Sequence, residues 1–113
     1  MDKILEQTLL FDFYGELLTE HQRTIYQEVV FEDYSLSEVA EENGISRQGV
    51  HDLVRRCDKA LHEYESKLGL VERFEETKRL VGEIHQLTQE FERTGSPECV
   101  KQIEEISLRI GEL

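Results

Sequence analysis

Tryptophan is missing from this chain, proline appears once and cysteine twice, and basic side chains are about half as numerous as acidic ones, 13 against 25. The two cysteines, Cys57 and Cys99, stand 42 residues apart with no C-x-x-C motif and no paired histidine at ligand spacing. That excludes a disulfide framework and a structural zinc site. Both fall on apolar helical stripes and read as reduced core thiols. No apolar run approaches the length of about 18 residues that a membrane span requires; the longest are short helical faces such as Leu9-Leu10-Phe11. Met1-Asp2-Lys3 leads into an amphipathic pattern instead of an apolar block with a small-residue cleavage site, so no secretory signal and no membrane partner are expected, and the cytoplasm is the expected compartment.

Catalytic groupings are equally scarce. His21, His51, His62 and His85 have no matching Cys or His at i+3 or i+4, so they suggest no metal site. The paired carboxylates Glu41-Glu42, Glu75-Glu76 and Glu104-Glu105 are sequence neighbours, and neighbours on a helix point in different directions and build no acid/base pair. There is neither a glycine-rich phosphate loop nor a nucleophile turn. The expectation is a protein that is not an enzyme and uses no cofactor.

What is present is a chain of 113 residues, 38% hydrophobic and 34% charged, a balance typical of a helix-rich globular protein. Its net charge of −12 would repel a nucleic acid, yet the charge is unevenly spread. Residues 1–45 carry 2 basic and 11 acidic side chains and residues 63–113 carry 7 and 12, whereas residues 46–62 carry 4 and 2. Only that middle segment is cationic.

The apolar spacing predicts an all-α protein. Ile4, Leu5, Thr8, Leu9, Phe11, Phe13 and Leu17 outline a first helix ending before Thr19. Thr19 with Gln22 forms a capping-box pattern that starts a second helix, carrying Ile25, Tyr26, Val29, Val30 and Phe31. Ser35 with Glu38 caps a very short third helix, whose apolar side is Leu36, Val39 and Ala40 and which Asn43-Gly44 closes. Ser46 caps a fourth, whose buried stripe is Val50, Leu53, Val54, Cys57 and Leu61 and which runs to about Lys67. After Gly69 a heptad-like series follows: Leu70, Phe74, Thr77, Val81, Ile84, Thr88 and Phe91. Thr94-Gly95-Ser96-Pro97 stops it and restarts a last helix, with Ser96 as cap, Pro97 at the first helical position, and Cys99, Ile103, Ile106, Ile110 and Leu113 as its stripe. The expected organisation is a domain over residues 1–68 and an antiparallel helical hairpin over residues 69–113.

The third and fourth helices have the parts of a helix-turn-helix: Ala40 allows close approach, Gly44 makes the turn, Ile45 plugs the corner, and Val50 and Leu53 anchor the second helix. With that stripe inward, the fourth helix presents Arg47, Gln48, His51, Asp52, Arg55, Arg56 and Lys59 to a groove of double-stranded DNA. Gln suits adenine, Arg suits guanine or phosphate, and Lys suits phosphate. Mixed charges on an exposed helix are ordinarily just a solvated surface; the glycine corner directly before them favours a DNA-binding face.

Leu18-Thr19-Glu20-His21-Gln22, Tyr34-Ser35-Leu36-Ser37-Glu38-Val39-Ala40 and Gly44-Ile45-Ser46-Arg47-Gln48-Gly49-Val50 resemble region 4 of bacterial sigma factors over residues 18–65. The whole chain, including Phe11-Asp12-Phe13-Tyr14-Gly15 and Leu68-Gly69-Leu70, resembles the YlxM family of small helix-turn-helix proteins. The resemblance implies a regulatory DNA-binding role and a link to the signal recognition particle, whose GTPase gene neighbours those of the family. The acidic surface, the added hairpin and the lack of a core-promoter region 2 distinguish the chain from a sigma factor. An adaptor that binds the particle's protein or RNA is the alternative.

The hairpin's apolar seams could pack within one chain or bury a second copy. Val71, Leu80 and Leu87 are expected to leave a second apolar edge on the long helix, which together with the two-fold symmetry usual among helix-turn-helix readers favours a homodimer.

Overall fold

The structure, a computed structural model, describes residues 2–113. Among the described residues all regular structure is helical: α1 (Lys3–Tyr14), α2 (Glu20–Tyr26), α3 (Leu36–Asn43), α4 (Arg47–Leu68), α5 (Leu70–Thr94) and α6 (Pro97–Gly111). No helix among them is long and apolar enough to cross a membrane. Two compact units make up the chain, divided between Gly69 and Leu70.

In the first unit local chemistry sets each helix end. Asp2 accepts a hydrogen bond from the Ile4 amide at the start of α1, and a 3-10 turn, Gly15–Leu17, closes it. Thr19 and Gln22 make a reciprocal capping box on α2, and Ser35 and Glu38 make another on α3. One widened turn, a π-helix over Gln27–Phe31, follows α2 and brings Phe31 against Phe11 and Tyr26, with ring centroids 5.3–5.8 Å apart. At the end of α3 the Gly44 amide donates to Glu41 O and the Ile45 amide to Ala40 O, with Gly44 left-handed at φ 65°. This is a Schellman closure.

Val39 and Ala40 of α3, Ile25 and Tyr26 of α2, and Val50, Leu53, Cys57 and Leu61 of α4 form the buried centre of the unit. Val54, expected in that stripe, is half-buried at its border. Cys57 and Cys99 are both buried and free.

α1 buries a different face from the one its apolar residues suggest. Gln7, Leu10 and Tyr14 turn inward, while Ile4, Leu5, Phe13 and Leu17 stay exposed. The reason is polar pairing with α4. Gln7 Nε2 donates to Asp58 at 3.2 Å and the Tyr14 hydroxyl donates to Glu65 at 2.5 Å, both partners 51 residues away, so α1 runs parallel to and in step with the second half of α4. The Tyr26 hydroxyl donates to the same Asp58 carboxylate at 2.5 Å. Deleting one partner of such a group leaves a buried polar atom unsatisfied, at a cost of about 1–3 kcal/mol.

In the second unit α5 and α6 pack along one another. Leu87 of α5 lines a shared cleft with Gln102 and Ile106 of α6, and Arg109 near the end of α6 lies 3.9 Å from Glu76 in the first half of α5. The connection is Gly95, left-handed at φ 68°, then Pro97 at the first helical position. Ser96 occupies the N-cap position, but its side chain makes no capping hydrogen bond, because its backbone amide is held by the Thr94 hydroxyl and its carbonyl accepts from Cys99. The two edges of α5 are used in the reverse of the expected way. Val71 and Leu80 are buried, whereas Leu70, Phe74, Val81 and Phe91 of the heptad row remain exposed.

Candidate nucleic-acid interface

α3, the three-residue turn Gly44-Ile45-Ser46 and α4 form the helix-turn-helix. The turn is short because the Schellman closure reverses the chain at Gly44 and Ser46 begins the next helix at once, its hydroxyl accepting from the Gly49 amide at 2.9 Å. Nothing lies within 4 Å of where a Cβ would stand on Gly44, so the backbone alone demands glycine there. Ile45 does not plug the corner as its sequence position suggests. Its amide is tied to Ala40 O at 3.1 Å, but its side chain keeps 37% of its surface exposed. Val39, Val50 and Leu53 are the buried apolar residues on either side of the turn.

All seven residues expected at the interface, Arg47, Gln48, His51, Asp52, Arg55, Arg56 and Lys59, are exposed on α4. Their spacing places them in two rows. Arg47, His51, Arg55 and Lys59 recur at four-residue steps, and Gln48, Asp52 and Arg56 form the row beside them. From Arg47 to Lys59 the helix advances about 18 Å. Two shallow depressions lie along this face, one lined by Leu36, Arg47, Gln48 and His51 and the next by Asp52, Arg55, Arg56 and Lys59.

The electrostatic state of the face depends on which charges are already matched. Arg79, Arg93 and Arg109 in the second unit lie within ion-pair distance of glutamates. Among the described residues Arg47, Arg55, Arg56 and Lys59 have no such partner, and their charge is open to solvent. Asp52 is the exception on this face: it accepts from Gln48 Nε2 at 2.9 Å and lies 3.8 Å from His51 Nδ1. On α3 the neighbouring depression is acidic, lined by Tyr34, Glu38, Glu41 and Glu42. The helix-turn-helix is therefore polarised, negative along its first helix and positive along its second.

Gln7, Tyr26, Asp58 and His62 join α1 and α2 to the back of α4; sequence reasoning named Tyr26 only as an apolar helix residue and His62 only as a histidine without a metal partner, and did not single out Gln7 or Asp58. The only local hint was Asp58, an acidic residue beside the apolar stripe of α4.

Comparison with known proteins agrees with this architecture. Residues 1–104 match the family model described as "Putative helix-turn-helix protein, YlxM / p13 like". The UPF0122 protein of Thermoanaerobacter sp. (strain X514) is 45% identical over 113 residues, covering 99% of this chain and 97% of that protein. The UPF0122 protein of Symbiobacterium thermophilum is 45% identical over 86 residues, covering 76% and 80%. A UPF0122 protein of Bacillus thuringiensis is 42% identical over 105 residues, covering 93% and 94%. With its glycine-closed α3, its exposed α4 and these matches, the chain belongs to the YlxM/p13-like family of helix-turn-helix proteins.

Proposed function

We propose that this protein is a DNA-binding regulatory protein that sets the first half of α4 into the major groove of a duplex and acts as a homodimer joined through its second unit. The observation that carries this reading is the set of four unpaired cations, Arg47, Arg55, Arg56 and Lys59, on the exposed face of the helix that follows the glycine corner. A groove about 12 Å wide admits one helix, with the residues near its start against base edges and later cations against phosphates. Arg47 and Gln48 stand at the start of α4, and Arg55, Arg56 and Lys59 about two to three turns further on. The acidic depression on α3 and the net charge of −12 oppose loose binding to arbitrary duplex, so attraction is confined to one orientation.

The test is duplex affinity as a function of salt. The Arg55→Glu/Lys59→Glu variant is expected to bind more weakly by tenfold or more, with the slope of log affinity against log salt reduced by about 2. Equal slopes for variant and wild type would remove α4 from the interface.

The overall charge of −12 favours a second reading, an adaptor that meets the protein of the signal recognition particle with one of its acidic surfaces. Selection from random duplex with RNA competing in the same tube, alongside a pull-down on that protein, separates the two. Recovery of the particle's protein without duplex would favour the adaptor.

A further inference from the structure

Asp52 is the feature of the α4 face that affinity alone does not explain. A carboxylate in the middle of a helix meant for a polyanion repels phosphate, and it halves the net charge contributed by its two nearest cations in the same depression, Arg55 and Arg56. Asp52 is also not a mere solvated charge. Its Oδ1 accepts from Gln48 Nε2 at 2.9 Å and lies 3.8 Å from His51 Nδ1. Gln48 stands one helical turn before it and His51 immediately before it, so one carboxylate oxygen restrains the Gln48 amide and lies near the His51 ring. Its other oxygen has no hydrogen bond to another of the described residues, and the side chain keeps 53% of its surface exposed.

Chemistry decides what such an arrangement accepts. A carboxylate can only accept hydrogen bonds. In the major groove cytosine N4 and adenine N6 are donors, whereas guanine offers only the acceptors N7 and O6 and thymine the acceptor O4. Gln48, with one amide hydrogen given to Asp52, retains its Oε1 acceptor and one further hydrogen, the pair that matches adenine N6 and N7.

Resting on the groove-reading role given above for α4, we propose that Asp52 is the specificity-determining residue of the interface: it fixes the Gln48 amide for one base and, through its second oxygen, admits at the neighbouring position of the strand it faces only a base that donates an amino hydrogen, cytosine through N4 or adenine through N6, and rejects guanine and thymine there. Asp52 lowers affinity for every duplex and lowers it least where the facing strand places cytosine or adenine so that its amino group donates to the carboxylate.

The experiment compares wild type, Asp52→Asn, Gln48→Ala and the double variant in selection from a random duplex pool, followed by affinity measurement on selected and scrambled duplexes. Asp52 is exposed and outside the core, and far-UV circular dichroism verifies that each variant keeps its helices. Asp52→Asn is expected to bind scrambled duplex roughly twofold to fivefold more tightly, and to lose about fivefold or more of its preference at two adjacent positions. In the Gln48→Ala background the same change is expected to affect only one of those positions. Asp52→Asn with the base preferences of wild type would overturn the inference while leaving the α4 reading intact. Wild type that selects no duplex at all would overturn both.

Discussion

At the scale of single residues, His62 shows how a side chain more than half exposed can still couple two helices. Its Nδ1 lies 2.8 Å from the Asp58 carbonyl oxygen and its Nε2 2.5 Å from the Glu6 carboxylate on α1. Both neighbours are acceptors, so both ring nitrogens must donate, and the imidazolium is the favoured form. The Asp58 carbonyl, then the Glu6 carboxylate, raise the His62 pKa above its ordinary value. A pKa raised by folding gives stabilisation that is complete below the unfolded value of about 6.5 and disappears as pH rises through the folded value. The difference in urea midpoint between wild type and His62→Gln is therefore expected to be largest near pH 5.5 and to vanish in mildly alkaline buffer. Exposure of both side chains screens the pair and keeps its contribution under about 1 kcal/mol. A pH-independent difference would show that His62 contributes packing alone. Two other titrating groups shift for the opposite kind of reason: burial, then the nearby Asp58, pushes the Cys57 thiol up to about 11, and burial with the Asp58 hydrogen bond raises Tyr26 above the phenol range. Both stay neutral at physiological pH, consistent with core positions.

At the scale of elements, the helix ends follow short-range rules closely and the helix faces less so. Thr19 with Gln22, Ser35 with Glu38, and Gly44 are legible because each cap is completed within a few residues of itself. Ser96 has a capping sequence without a capping hydrogen bond, because Thr94 and Cys99 engage its backbone first. Gly44 provides a clean test. With open space around its missing Cβ, Gly44→Ala adds backbone strain and no clash, and is expected to cost about 1–2 kcal/mol in chemical denaturation. Gly44→Asn should lose less, since asparagine tolerates the left-handed region. Equal stability of Gly44→Ala and wild type would mean the corner has relaxed to another turn. α1 is the contrary case. Its apolar periodicity was visible, but the buried face turned toward Gln7 and Tyr14, because their acceptors Asp58 and Glu65 lie 51 residues away and leave no local mark.

At the scale of the whole molecule, the heptad row of α5, in which Val81 and Thr88 are exposed and Thr77 and Ile84 half-buried, bears on assembly. Val81, 52% exposed, lies in line with Ile84, Thr77 and Thr88 at alternating steps of three and four. If two copies of α5 pair antiparallel about a two-fold axis, Val81 meets Ile84 of the second copy and Thr77 meets its Thr88, so apolar layers face apolar ones and the two threonine layers coincide. A self-complementary row of this kind suits an isologous contact. Val81→Glu places two carboxylates in that contact and is expected to convert a dimer into a monomer in sedimentation equilibrium with helical content unchanged. A monomeric wild type at tens of micromolar would exclude the contact.

By itself the sequence determined the all-α character, the positions of the caps, the glycine corner and the seven exposed residues of α4, because all of these follow from backbone geometry and helical period within a few turns. Tertiary structure decided which stripe of α1 and which edge of α5 is buried, that Asp58 joins Gln7 and Tyr26, and that Arg47, Arg55, Arg56 and Lys59 have no ion-pair partner among the described residues of so acidic a chain. Those outcomes are set by partners distant along the chain, and a helical period fixes the angle between residues on one helix without fixing which side another helix will cover.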